Sequence, residues 1–260
     1  MIHIRSAEDQ GLKQAARLLQ TSAKAVALTG AGISVGSGIP DFRSPGGLWS
    51  IYEPDEYATL AVFRSQPAKA WQLYRALGEV LLGKMANAAH RALAEMERRG
   101  LLAGVVTQNV DNLHQQAGSR VVLEIHGDHQ HLQCLDCEHL EPVAEKHYRM
   151  QDIPLCPVCS SALKPNVVLF GEPVRMYEEI ENLVADCDLL LVVGTSAQVY
   201  PAAGLPLTVK LGGGRVFEFN QEPALGRDQF SGLNLMPDFF FEGDVVETLP
   251  LLLAALDARS

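Results

Sequence analysis

The chain is short of positive charge, of aromatic rings and of long apolar runs, and each shortage excludes something. Across 260 residues, 21 lysines and arginines face 31 aspartates and glutamates, a net charge of −10, and aromatic residues make up only 7%. Nonspecific grip on a phosphate backbone depends on cationic side chains, and no interleaving of basic and aromatic residues is visible. No direct nucleic-acid contact is therefore expected. The same charge favours a basic peptide as partner. Aliphatic runs such as Leu189 to Val193 are far below the roughly 20 residues that cross a bilayer. Met1 to Asp9 carry no apolar signal-peptide core. A cytoplasmic location without a membrane partner is the expectation, and no repeat or low-complexity tract breaks the chain.

Cysteine is also scarce, but its placement is informative. Four of the five cysteines form two pairs, Cys134-x-x-Cys137 and Cys156-x-x-Cys159, eighteen residues apart. This is the spacing of a four-thiolate zinc ribbon rather than a secreted disulfide framework. Four thiolates saturate tetrahedral Zn²⁺ and leave no position to activate water, so one structural zinc per chain is expected. His129, His131 and His139 lie nearby and are read as surface residues. Cys187 is read as a small core filler.

Apolar runs at Ala25–Leu28, Gly104–Thr107, Val121–Ile125, Val167–Phe170, Leu189–Val193 and Val216–Phe219 predict strands. Helical spacing predicts helices over 7–21, Ala68–Leu82, His90–Arg99 and Tyr177–Ala185. Continuous rather than alternating apolar strands imply burial on both faces. The fold class is thus α/β: a Rossmann-type, doubly wound parallel sheet. Two stretches interrupt the alternation, about 33–85 and about 128–165.

The first strand breaks into a loop carrying Gly30, Gly32, Gly36 and Gly38, followed by Phe42 and Arg43. Glycines admit close approach of backbone N–H groups to a phosphate, a guanidinium can pair with one, and Phe42 can cover a flat ring. Val35 stands where the dinucleotide fingerprint has its third glycine, and Gly36, Gly38 and Pro40 oppose a regular helix directly after the loop. Gln108, Asn109 and Asp111 follow one strand at its carboxyl end, and His126 closes the next. Open α/β sheets bind ligands at that edge, and a histidine there is a candidate general base.

The run from Gly30 to Arg43 resembles the signature of the sirtuin family of NAD-consuming protein deacylases. The likeness continues at Thr107–His114, His126-Gly127, the four cysteines, Phe170-Gly171-Glu172, Gly194-Thr195-Ser196 and Asn220, in family order. The resemblance implies that the two insertions, one helical and one zinc-binding, form a small domain. The Rossmann core would then comprise about 1–32, 86–127 and 166–260, with substrates in the cleft between. It also implies NAD as co-substrate. Ala31, Ile39, Phe42, Asn109, Val110 and Asp111 would line the nicotinamide pocket, with Asp111 on the carboxamide, and Gly30, Gly32, Ser34, Asp41, Arg43 and Gln108 would also bind the cofactor. Gly194, Thr195, Ser196, Asn220, Asp244 and Val245 would hold the adenosine half. His126 would take a proton from the ribose hydroxyls, with Asn109 as the second catalytic residue. Val168, Phe170, Gly171 and Val199 would bind an acyl-lysine peptide as an added strand. The acyl oxygen would attack C1′ as nicotinamide leaves, and the acyl group would end on ADP-ribose.

Some sirtuins that prefer acidic acyl groups carry Tyr-x-x-Arg after Gly-Leu-Trp. Here Tyr52 is followed by Asp55, with Glu53 and Glu56 alongside, so acetyl or another neutral acyl group is expected. Three rivals are weighed. Mono-ADP-ribosyl transfer would use the same NAD-activating residues. An NAD-dependent oxidoreductase would need an acidic ribose partner after a strand. A zinc-ribbon nucleic-acid module is opposed by the charge.

Overall fold

The computed structural model describes residues 1–41, 47–226 and 234–257. Its strands are β1 (Ile2–Ile4), β2 (Ala25–Thr29), β3 (Val105–Thr107), β4 (Val122–Glu124), β5 (Gly127–Cys134), β6 (Leu140–Pro142), β7 (Leu163–Val167), β8 (Leu189–Val193), β9 (Arg215–Asn220) and β10 (Phe239–Glu242). Its helices are α1 (Gln10–Thr21), α2 (Gly32–Val35), α3 (Pro54–Tyr57), α4 (Leu60–Ser65), α5 (Pro67–Leu81), α6 (Ala88–Arg98), α7 (Leu113–Ala117), α8 (Glu145–Arg149), α9 (Tyr177–Val184), α10 (Leu205–Leu211) and α11 (Val245–Asp257).

Seven strands form one sheet in the order β1-β10-β9-β8-β2-β3-β4, and every pairing is parallel. Alternate residues of each strand enter two different cores. Ala27, Leu191, Val193, Phe217 and Phe219 pack with α1, α6 and α11. Val26, Leu28, Leu190, Val192 and Val216 pack with α9 and α10. Burial on both faces is why these strands read as unbroken apolar runs.

From β2 the chain builds outward through β3 and β4. It returns at β8 on the other side of β2 and builds away through β9 and β10. The order reverses between β2 and β8, which is where an open sheet leaves a crevice at its carboxyl edge.

The second sheet is antiparallel, in the order β6-β5-β7. A third core, built on Phe63, Trp71, Tyr74, Tyr148 and Leu163, joins it to α4 and α5. The Trp71 indole N–H donates to the Leu163 carbonyl at 2.8 Å. The two insertions therefore pack together, which pattern reading alone does not reveal.

Three expectations need correction. The strand predicted over Val167–Phe170 is displaced, since β7 ends at Val167. Beyond it the backbone turns to other partners: Val168 N–H to His126 O, and Phe170 N–H and C=O to Ala58 and Leu60. The wholly buried Lys164 ammonium pairs with Glu172 at 3.1 Å, and the Glu172 carboxylate accepts the Leu169 N–H at 2.8 Å. Second, a helix does follow the first glycines, but it is the single turn α2, and the chain bends out at Gly36. Third, His129 is buried rather than exposed, stacked on and hydrogen-bonded to Tyr148. His131 and His139 are partly buried, against Asp128 and Glu141. Cys187 is buried as expected.

Candidate active site and metal centre

A cavity of about 1180 Å³ runs along the carboxyl edge of the large sheet, beneath the smaller helical and zinc-ribbon unit. Its floor is the switch point. Gly30 N–H donates to Val193 O and Gly32 N–H to Gly194 O. A Cβ on Gly32 would lie 2.7 Å from the Gly194 backbone, and one on Gly30 2.7 Å from Thr195. These glycines are demanded first by the mutual approach of two loops, and the bare backbone facing the cavity is a consequence.

At the β3 end, Asn109 donates through Nδ2 to Gly30 O and to Ser34 Oγ, both at 3.1 Å. Ser34 Oγ donates in turn to Asp111 Oδ2 at 2.6 Å. Asp111 Oδ1 accepts the Leu113 N–H at 3.0 Å. Burial pushes the Asp111 carboxyl up, and these hydrogen bonds oppose the rise. Below lies a buried relay that sequence reading missed: His114 Nε2 meets Thr29 Oγ1 at 2.9 Å, and Thr29 Oγ1 donates to Thr107 Oγ1 at 2.8 Å. Polar residues that close apolar strands, as Thr29 and Thr107 do, are the signal that marks it.

His126 lines the cavity just after β4. Its Nδ1 lies 3.1 Å from the Gln108 carbonyl. A carbonyl only accepts, so Nδ1 carries the proton and Nε2 is left with a free lone pair. Burial lowers its pKa from the ordinary 6.5, so the ring is neutral and basic at pH 7. Gly127 follows with φ +77°, and a Cβ there would meet Asn166 O at 2.0 Å. No side chain fits at that position, which sets where His126 leaves the sheet.

At the other end, the Thr195 hydroxyl accepts from Gln108 Nε2 at 2.9 Å, and Asn220 Nδ2 donates to Thr195 O at 2.9 Å. Ala31, Asp41, Val110, Ser196 and Val245 also line the cavity, as do Val168, Phe170, Gly171 and Val199. Asp244 does so too, but its carboxylate caps α11 through the Val246 N–H at 3.0 Å. Ser34 and Ile39 are buried and Asp111 is half-buried, and none of the three is among the residues that line the cavity directly. Phe42 and Arg43 lie outside the described residues. Sequence reading also missed Trp49, Leu73, Tyr74 and Leu77 as cavity residues, although all four line it from the helical insertion. Leu73, Tyr74 and Leu77 lie within the helix predicted over Ala68–Leu82, and helical spacing carries no sign of a ligand.

The four cysteine sulfurs lie within 4.8 Å of one another. Cys134 is 3.4 Å from Cys159, and Cys137 is 3.5 Å from Cys156. Tetrahedral Zn²⁺ with bonds of about 2.3 Å needs sulfurs somewhat under 4 Å apart, so the donor set fits. None of the four lines the cavity, so a metal held there is structural.

Comparison with known proteins agrees. The Sir2 family model matches residues 30–201. An NAD-dependent protein deacylase of Thermococcus kodakarensis is 43% identical over 249 residues, 93% of this chain and 94% of that protein. One from Pyrococcus furiosus is 42% identical over 247 residues, 93% of this chain and 96% of that protein. A crystal structure of a Sir2 homologue with NAD superposes at TM-score 0.84 with 36% identity, covering 99% of this chain and 96% of the other. A Sir2 variant with a deacetylated p53 peptide and 3′-O-acetyl-ADP-ribose superposes at 0.83 with 35% identity, covering 94% and 97%.

Proposed function

The chain belongs to the Sir2 family and is an NAD-dependent protein deacylase, and from that premise we propose how its residues share the work. The overall reaction converts acyl-lysine, NAD and water into lysine, nicotinamide and O-acyl-ADP-ribose. The nicotinamide end lies toward Asn109 and toward Asp111, whose carboxylate is held by the Ser34 hydroxyl. There the acyl oxygen forms its bond to C1′ while the bond to nicotinamide breaks. His126 Nε2 then accepts the ribose hydroxyl proton, which frees that oxygen to attack the acyl carbon. The bond from that carbon to the lysine nitrogen breaks, the amine leaves with a proton, and water adds to the same carbon to leave the acyl ester on the ribose. The observation that carries this reading is the His126 tautomer, fixed by the Gln108 carbonyl with Nε2 left free.

The acyl-lysine peptide enters beside Val168–Gly171 and Val199. Phe170 has both backbone groups committed to Ala58 and Leu60, and the Val168 N–H is taken by His126 O, so added-strand pairing falls to Gly171 and the Val168 carbonyl. Among the described residues no lysine or arginine lines the cavity, which supports a neutral acyl group. Domain limits of about 1–32, 86–127 and 166–260 for the core, with 33–85 and 128–165 as the small domain, go with this reading. So does a cytoplasmic setting; among the described residues no helix is long and apolar enough to cross a membrane. Mass spectrometry of products from NAD and an acetyl-lysine peptide tests it. Equal amounts of nicotinamide, acetyl-ADP-ribose and free lysine peptide are expected. Labelled protein would indicate ADP-ribosyl transfer instead, and NADH an oxidoreductase.

A further inference from the structure

Glu218 is a carboxylate in the middle of β9 with no exposed surface. It sits between Val192 of β8 and Phe240 of β10, and no ion pair among the described residues involves it. Only N–H groups compensate it. Oε1 accepts from Ala224 N at 2.6 Å and from Asn220 Nδ2 at 3.2 Å, and Oε2 from Leu225 N at 3.4 Å. A buried carboxylate is costly unless such bonds are all made. Here every one goes to a single feature, the 220–225 turn, whose residues Asn220 to Ala224 line the far end of the cavity.

The arrangement fixes the chemistry of Asn220. Its Nδ2 has two hydrogens. One goes to the Thr195 carbonyl and the other to the Glu218 carboxylate. Both partners only accept, so the amide cannot be flipped, and Oδ1 is the atom left for a ligand. Asn220 and His126 stand at strand ends four spacings apart across β9, β8, β2, β3 and β4, roughly 19 Å at about 4.8 Å per strand. Asn220 is therefore remote from the reacting atoms. Around it are the Glu222 side chain and a cavity wall without lysine or arginine among the described residues.

We propose that Glu218 is a positioning residue that holds Asn220 as an obligate acceptor for a free ribose diol, and so selects NAD over its 2′-phosphorylated form. This rests on the deacylase reading. A ribose hydroxyl donates to Oδ1. A 2′-phosphate offers mainly acceptors and negative charge, which the Oδ1 acceptor and the Glu222 carboxylate both oppose.

The test uses the zinc-loaded full chain with an acetyl-lysine peptide, and NAD or NADP as dinucleotide, for wild type, Glu218→Gln and Glu218→Leu. Wild type should turn over NAD and be nearly inert with NADP. Glu218→Leu should raise KM for NAD by about tenfold, the scale of a hydrogen bond to a charged group. Its kcat and KM for peptide should stay within about twofold, and the NAD-to-NADP ratio of kcat/KM should fall. Glu218→Gln keeps one acceptor oxygen and should lie between; should the leucine variant not fold, the same comparison is read from glutamine. An unchanged KM for NAD, or kcat and both KM values shifting together, overturns the proposal. Wild type failing to use NAD at all would defeat the deacylase reading instead.

Discussion

At the scale of single residues, the site depends on atoms with no freedom. Gly32 has no room for a methyl group against Gly194, because the obstructing atoms are backbone and cannot rotate aside. Gly32→Ala should lower stability by about 1–3 kcal/mol, the usual cost of overpacking. It should also weaken NAD binding sharply, since the same contact shapes the cavity floor. Thermal melting and dinucleotide titration check this, and an alanine variant that melts and binds like wild type would contradict it. Asn109, Asp111 and His126 were legible in the sequence because each follows a strand at the sheet's carboxyl edge. The tautomer of His126 and the orientation of Asn220 were not. Both follow from which neighbouring atoms are acceptors, and a sequence does not record that.

At the scale of elements, the zinc ribbon is the clearest case of cause and effect. β5, β6 and β7 form a three-stranded sheet, and two of the four cysteines, Cys134 and Cys156, also belong to the core shared with α4 and α5. The metal therefore supports the wall that carries Trp49, Leu73 and Tyr74 into the cavity. One zinc per chain is expected by metal analysis. Removing it with a strong chelator should unfold this unit, since structural zinc binding is worth about 10–16 kcal/mol in small domains. Hydrogen exchange should then rise in 127–167 and in α4 and α5 while β2, β8 and β9 stay protected; uniform protection without zinc would contradict this. The elements also show where pattern reading fails. β8 was legible residue for residue because it is apolar and covered on both faces. The segment 168–170 is equally apolar but leaves the sheet, drawn off by the buried Lys164–Glu172 pair and by Ala58 and Leu60. Those partners are distant in sequence. β1 and β5 carry charged or polar residues, so their periodicity gave no strand signal.

At the scale of the whole molecule, three buried histidines link stability to pH. His90, His114 and His129 have neutral hydrogen-bond partners, and burial depresses them from 6.5 to about 4, about 3 and about 4. The unfolded chain takes up these protons near pH 6.5, whereas the folded chain resists until near pH 4. Between those values the unfolded state binds more protons, so stability falls as pH falls. Each group contributes a slope of up to about 1.4 kcal/mol per pH unit. Calorimetry should show a steep loss of melting temperature from pH 6.5 to 4.5, with proton uptake on unfolding. A flat profile would contradict the burial of these rings. The fold class, the metal ligands and the strand-end residues could all be read from the sequence, because each rests on local spacing. That the two insertions share one core is a property of the folded molecule.

The central claim is that His126 is the proton acceptor in a reaction that moves the acyl group onto ADP-ribose. Its most direct test is acetyl-ADP-ribose formation by wild type and by His126→Ala, both zinc-loaded and saturated with NAD and acetyl-lysine peptide. The account predicts a loss of about 10²- to 10⁴-fold in the variant, the usual worth of a general base, with NAD still bound. Full acetyl-ADP-ribose output from His126→Ala would contradict it.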